Sequence, residues 1–195
     1  MIRLAIFASG SGTNAENIVR YFRDHSTISV TCILTNNPKA GVTERAERLG
    51  IPYMVFTREQ FLHSSTVLDH LSGMEIDYLI LAGFLWLIPQ RYLAAFPDRI
   101  INIHPALLPA YGGKGMYGMN VHIAVKENGE KETGISIHFV NERYDEGKII
   151  FQAGCPVEET DAPEDIAHRV HQLEYMHYAR VIEEVISKQK GFSGV

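Results

Sequence analysis

Asn102 and His104 stand two residues apart in the stretch Arg99-Ile-Ile-Asn102-Ile-His104-Pro105-Ala-Leu-Leu-Pro109. An amide and an imidazole can both donate hydrogen bonds to negative charge developing on a carbonyl oxygen. The β-branched content of Arg99 to Ile103 predicts a strand. Strand side chains alternate, so Ile101 and Ile103 face one way and Asn102 and His104 the other. Pro105 lacks an N–H and ends the ladder, and Pro109 keeps the following segment irregular. An apolar strand ending in Asn-x-His holds two polar side chains rigidly at a cleft edge. The competing reading is a hydrogen-bonded histidine at an ordinary strand end, and these two residues in isolation do not choose between them.

Asp145 lies in the turn Asn141-Glu-Arg-Tyr-Asp145-Glu-Gly147, where an aspartate is ordinary turn chemistry. Folded back over Asn102 and His104, its carboxylate would orient the imidazole and raise its pKa. His104 would then donate a proton near neutral pH. His138 is a rival for that role, or a satisfied core histidine. His168 and His171 are i,i+3 neighbours on a predicted helix that also carries His177. No Cys or carboxylate completes a metal set around them, so a solvated helix face is expected and no metal. Lys114, set among glycines, reads as a surface lysine.

Two further stretches bear on ligands. Gly10-Ser-Gly12-Thr-Asn-Ala15 matches G-x-G-x-x-A between a predicted strand and a predicted helix. Glycines there let a phosphate approach the backbone, and the amides of the helix start point at the anion. A dinucleotide site also needs an acidic residue ending the next strand. That strand ends Leu34-Thr35-Asn36-Asn37, which favours a single phosphate, with Thr13 and Asn14 adding side-chain donors, over NAD. The alternative is a tight turn with no ligand. The apolar run Phe84-Leu85-Trp86-Leu87-Ile88 follows the fourth strand, at the sheet edge where α/β proteins bind ligands. It reads equally as the wall of a pocket for a flat aromatic ring or as core beneath a loop.

These residues must be positioned by a regular frame. Strands are predicted at Ile2–Ala8, Ile28–Leu34, Ile51–Phe56 and Tyr78–Ala82, their apolar character continuous rather than alternating, as suits strands buried on both faces. Helices are predicted after Asn14 to about Arg23, with Ala15, Ile18, Val19 and Phe22 as the stripe, over Val42–Leu49, closed by Gly50, and from Thr57 to Leu71. Short helices are predicted at Gln90–Phe96 and Tyr117–Glu127. Thr133–Val140 and Lys148–Val157 read as a hairpin-like pair, and Pro163–Lys188 as a long amphipathic helix with Ile166, Val170, Leu173, Val181, Val185 and Ile186 near one stripe. The fold class is α/β: an open, mostly parallel sheet with antiparallel C-terminal strands and a long C-terminal helix, in one domain over 1–195. A small Gly-containing tail spans Gly191–Val195.

The chain has 195 residues, 46% of them hydrophobic and 21% charged, within the range of a globular domain with a sizeable core. A net charge of -5 without a basic run gives no nucleic-acid footprint, so an anionic ligand needs local donors. Two distant cysteines, Cys32 and Cys155, form no disulfide framework. The strand-like N-terminus lacks the apolar length of a signal peptide or membrane span. A cytoplasmic protein with no membrane partner is expected.

Gly-Ser-Gly-Thr-Asn, Leu-Ala-Gly-Phe-Leu, Ile-Asn-Ile-His-Pro-Ala-Leu-Leu-Pro, Gly-Ile-Ser-Ile-His-Phe-Val and the Asp145 loop occur here in one order. In order and spacing the chain resembles the phosphoribosylglycinamide formyltransferase family over nearly its whole length. Asn-x-His-Pro-x-Leu-Leu-Pro is highly specific for enzymes that use 10-formyltetrahydrofolate. The short length and the Gly-Thr-Asn loop separate this family from methionyl-tRNA formyltransferase and formyltetrahydrofolate hydrolase, which carry added domains.

The resemblance implies a Rossmann-like formyltransferase fold and formyl transfer from 10-formyltetrahydrofolate, a co-substrate, to the amine of phosphoribosylglycinamide in purine biosynthesis. It implies Asn102, His104 and Asp145 as the catalytic trio. Gly12, Thr13, Asn14 and Ala15 would hold the substrate phosphate, and Glu174 the substrate ribose. Leu85, Trp86, Leu87 and Ile88 would wrap the folate pterin, with Asn102 and Asn141, Glu142, Arg143 and Tyr144 completing the folate site. Residues 1–100 would form the phosphate-substrate half and 101–195 the catalytic and folate half, in a monomer or homodimer. The chain departs from the family pattern at Ser64-Ser65, where many relatives carry an Arg for folate, and at Trp86, which replaces a common Arg, although Arg58 lies nearby. The alternatives are a formyltetrahydrofolate hydrolase or another folate-dependent formyltransferase, and, outside enzymes, a regulatory nucleotide-binding domain that uses the glycine loop alone.

Overall fold

The computed structural model describes the backbone of residues 1–192 and side chains to residue 189. Its strands are β1 Ile2–Phe7, β2 Ile28–Thr35, β3 Tyr53–Val55, β4 Tyr78–Leu81, β5 Ile100–His104, β6 Glu132–Phe139 and β7 Ile149–Pro156. Its helices are α1 Thr13–Phe22, α2 Val42–Leu49, α3 Arg58–Leu62, α4 Thr66–Gly73, α5 Gln90–Ala95, α6 Met119–Glu127 and α7 Pro163–Phe192. The sheet order is β3-β2-β1-β4-β5-β6-β7. β1 pairs in parallel with β2 and β4, as β2 does with β3 and β4 with β5, while β6 and β7 are antiparallel.

The chain forms two compact units: Met1–Asn102 with Phe139–Arg143, and Ile103–His138 with the chain from Tyr144 onward. In the first unit, Leu4, Ala5, Ile6 and Phe7 are wholly buried, as a parallel strand covered on both faces requires. Strand order reverses at β1, whose neighbours are β2 and β4, so the carboxyl ends of β1 and β4 mark the switch point where such sheets bind ligands. The loops after these two strands are joined: Ser9 N–H donates to the Gly83 carbonyl at 3.0 Å, and Leu85 N–H to Ser9 Oγ at 3.2 Å. In the second unit, α6 packs on α7, and α7 on β7.

The helix expected from Thr57 to Leu71 is two helices. Thr57 opens α3 with a capping box shared with Gln60. The chain then leaves the helix at His63, because Ser64 Oγ accepts the Thr66 N–H at 3.0 Å and offers the backbone a local alternative to helical bonding. The last helix runs four residues beyond the expected Lys188. It takes in Gly191 and Phe192 of the predicted tail, and residues 193–195 lie outside the described residues.

Candidate active site

β5 ends at His104, only 3% exposed. Its Nε2 lies 2.7 Å from the Tyr111 carbonyl oxygen, and its Nδ1 lies 3.5 Å from Asp145 Oδ2. Asp145 adopts a left-handed backbone conformation at φ 57°, which a short polar side chain tolerates. Its Oδ2 accepts the Gly113 N–H at 3.0 Å, and its Oδ1 lies 3.6 Å from Nε2 of buried His138. One carboxylate thus sits between two histidines. Close packing fixes the segment behind it: a Cβ on Gly112 would meet Leu108 Cδ2 at 2.7 Å and Asp145 Cβ at 3.3 Å.

Burial pulls the His104 imidazole below its ordinary range, and this outweighs the upward pull of the Asp145 charge and the Tyr111 carbonyl. Asp145 does act upward on the pKa of His104, as expected, but desolvation is larger, so the expectation of a raised pKa and of a His104 that donates a proton near neutral pH is corrected. For Asp145 the balance falls the other way. Burial raises its pKa, yet the His138 hydrogen bond, the His104 charge and the Gly113 N–H together hold the carboxyl below the usual carboxylate range. The Tyr111 carbonyl can only accept, which puts the proton of a neutral His104 on Nε2. Nδ1 is then the nitrogen able to take up a further proton, and it faces a carboxylate.

The bend Pro105–Pro109 after His104 has a cis Leu108–Pro109 peptide and is held by side chains. Ser136 Oγ donates to the Ala106 carbonyl at 2.7 Å and accepts the Leu108 N–H at 2.9 Å, while Gln152 Nε2 donates to Ser136 Oγ at 2.7 Å and to the Leu108 carbonyl at 3.0 Å. Asn102, half-buried, precedes His104 by two residues on β5. Glu174 is buried on α7. On the same helix His168 is exposed and bonded to Gln172, at 3.0 Å.

In the first unit, β1 leads through Ser9, Gly10 and Ser11 into α1. Gly12 precedes the helix at φ 77°, and a Cβ there would lie 2.4 Å from Val42 Cγ2. No other residue fits that turn without displacing α2. Ala15 is wholly buried, so it can offer a ligand only its backbone. The helical ladder begins with Glu16 N–H to the Gly12 carbonyl, at 2.9 Å.

The apolar run after β4 divides by face. Phe84 and Ile88 are buried and Trp86 packs against the same core, among Phe7, Phe56, Phe61 and Tyr92, whereas Leu85 and Leu87 are exposed. The reading as core beneath a loop holds for alternate residues, and the others face outward. Arg58 lies over the Trp86 ring, 5.7 Å from its centroid. Asn141 caps its own turn by accepting the Arg143 N–H at 2.9 Å, with Glu142 and Arg143 exposed and Tyr144 half-buried. Sequence reasoning missed the Tyr111 carbonyl and the Gly113 amide, which as backbone groups leave no mark in a sequence. It also missed Ser136 and Gln152, whose spacing of 16 has a meaning only once the hairpin register is known.

Among the described residues no helix is long and apolar enough to cross a membrane, and no cluster of His, Cys, Asp and Glu has the makings of a metal site. A family model described as formyl transferase matches residues 2–182. A phosphoribosylglycinamide formyltransferase of Bacillus subtilis is 35% identical over 191 residues, covering 95% of each chain. A chloroplastic protein of the same name from Arabidopsis thaliana is 42% identical over 193 residues, or 96% of this chain and 66% of that one. The chain spans about two thirds or less of the plant relatives, 62% in Vigna unguiculata. The crystal structure of the phosphoribosylglycinamide formyltransferase of Bacillus halodurans superposes with a TM-score of 0.85 at 34% identity, covering 96% of both chains. With a parallel sheet switching at β1, a glycine turn before α1 and Asn-x-His closing β5, the chain belongs to the formyl transferase family, and within it to the phosphoribosylglycinamide formyltransferases.

Proposed function

We propose that this protein transfers the formyl group of 10-formyltetrahydrofolate to the primary amine of 5-phosphoribosylglycinamide, giving formylglycinamide ribonucleotide in de novo purine biosynthesis. The observation that carries the proposal is the pairing of buried His104 with the half-buried Asp145 at 3.5 Å. An imidazole shifted down by its burial, beside a carboxyl held ionised in spite of its own, is a costly arrangement that phosphate binding alone does not call for.

In the proposed reaction the amine nitrogen attacks the formyl carbon and a C–N bond forms. Negative charge develops on the formyl oxygen, where the Asn102 amide and the His104 Nε2–H donate, the formyl oxygen taking the place of the Tyr111 carbonyl at Nε2. The amine proton passes to the His104–Asp145 pair, neutral His104 accepting it beside an ionised Asp145. The carbon–N10 bond then breaks as that proton reaches N10 of the folate. Holding the two substrates side by side supplies the proximity contribution.

The remaining roles belong to the same proposal. Backbone amides and side chains of Gly12, Thr13, Asn14 and Ala15 bind the phosphate, and Glu174 the ribose. Leu85 to Ile88 and Asn141 to Tyr144 line the folate site. Residues 1–100 serve mainly the phosphorylated substrate and 101–195 the chemistry. A cytoplasmic location goes with this reading, although the plant relatives are named as chloroplastic.

Ultraviolet absorbance of folate deformylation, with and without 5-phosphoribosylglycinamide, tests it. Acceptor-dependent release supports the transferase. Release that needs no acceptor identifies a hydrolase, and ligand binding without any release identifies a nucleotide-binding domain.

A further inference from the structure

Ser9, Gly10 and Ser11 belong to no strand or helix, so their carbonyls need partners from elsewhere. Each has one on the far side of β2. Asn37 Nδ2 donates to the Ser9 carbonyl at 3.4 Å, Val42 N–H to the Gly10 carbonyl at 3.2 Å, and Arg45 Nε to the Ser11 carbonyl at 2.8 Å. In a planar trans peptide the C=O and the following N–H point in opposite directions. Turning three successive carbonyls toward the β2–α2 segment therefore turns the N–H groups of Gly10, Ser11 and Gly12 the other way. Successive amides pointing the same way form an anion-binding concavity.

We infer that Arg45 is a positioning residue for phosphate recognition: it fixes the Ser11–Gly12 peptide so that the Gly12 N–H is aimed at the anion. This rests on the phosphate-loop reading above. Arg45 reaches the loop from α2, across 34 residues of chain. Its Nη1 is engaged at the same time by Glu16 in the first turn of α1. The fork of the guanidinium thus ties the turn to the helix it opens, which a lysine, with one nitrogen, cannot do in the same geometry. Glu16 also pairs with Arg20 and Arg48, each at 2.7 Å. One carboxylate thus faces three guanidiniums, so a long-range charge effect on a phosphate is common to Arg45 and Arg48, and what sets Arg45 apart is the peptide it orients. Arg48 shares the carboxylate of Glu16 but has no bond to the loop among the described residues, and so serves as the control.

The test is steady-state kinetics with 5-phosphoribosylglycinamide and with its dephosphorylated analogue. In Arg45→Met the KM for the phosphorylated substrate is expected to rise about 3–10-fold, the worth of one net hydrogen bond. The kcat, the KM for the folate and kcat/KM for the dephosphorylated analogue should stay within about twofold of the parent. Arg48→Met should stay near the parent throughout. An unchanged KM in Arg45→Met, an equal loss for both amine substrates, or an equal rise in Arg48→Met overturns the inference. Should Arg45→Met not fold, Arg45→Lys reads the same quantity, with an intermediate rise expected and no rise overturning it. If the parent protein transfers no formyl group, the proposed function falls, and the inference is still read by titrating inorganic phosphate against the amide resonances of Gly10 to Gly12. Weaker shifts in Arg45→Met than in the parent support it, and equal shifts overturn it.

Discussion

The glycine turn before α1 and the histidine–aspartate cluster after β5 solve opposite problems. In the proposed function the working groups at the turn are backbone amides, whose charge never changes, so the structure only has to aim them. It does so with a close approach of α2 at Gly12 and with a partly exposed arginine. At the cluster the working groups titrate, and what the fold controls is their protonation. Burial there pulls His104 down while His138, His104 and Gly113 hold Asp145 ionised. On the proposed function, recognition is set by backbone direction in one unit, and proton transfer by desolvation in the other.

The contrast predicts which kinetic constant each region governs. Asp145→Asn keeps the shape and removes the charge that supports a protonated His104. Its kcat is expected to fall by about 10²–10⁴, the range of lost general acid–base catalysis, with both KM values near the parent. Wild-type turnover in this variant would break the assignment. Gly12→Ala is expected to do the converse. A methyl group 2.4 Å from Val42 Cγ2 and 2.8 Å from its Cα must push α2 away or swing the turn. The KM for the phosphorylated substrate should rise about 10-fold to 10²-fold, as for a displaced positioning group, while kcat at saturation falls far less. A fall in kcat with KM intact would show that the two regions do not divide the work in this way.

How far each region could be read from the sequence follows the same line. The strands β1, β2 and β4 were legible because burial on both faces leaves nearly continuous apolar runs, broken only by Arg3 in β1 and by Ser29, Thr31 and Thr35 in β2, and the Gly12 turn because a positive φ selects glycine. His104 and Asp145 were legible as a pair, but the direction of the His104 shift was not. It depends on exposure, and nothing in Ile-His-Pro records that this imidazole is 3% exposed. The break between α3 and α4 was hidden because Ser64 and Ser65 tolerate a helix as well as they end one, and the hydrogen bond to Thr66 decides. Arg45 left no signal in the sequence, since its partner Ser11 lies 34 residues away along the chain.

Acid should separate the two units by a smaller effect. His122, on α6, is 1% exposed, and its Nδ1 has no hydrogen-bond partner among the described residues. Burial, with the nearby charges of His171 and His104, pushes it down from 6.5 to about 4. In the unfolded chain it binds a proton near 6.5, and in the folded chain only near 4. Lowering the pH through that interval therefore favours the unfolded state, by up to roughly 3 kcal/mol at the acid end. Glu16, which organises the arginines beside the glycine turn, is likewise held below its ordinary 4.5, by Arg20 foremost. Its contribution is complete above 4.5 and is lost only on further acidification. Between pH 6.5 and 4.5 the unit containing α6 should thus loosen first, while the unit containing the glycine turn keeps its ion pairs. Amide exchange at pH 5 should rise in α6 relative to α1, and His122→Phe should flatten the fall of Tm over that interval. If α1 and α6 open together and His122→Phe leaves the slope unchanged, the acid response belongs to the whole fold, and burial of titratable groups is not what sets the second unit apart.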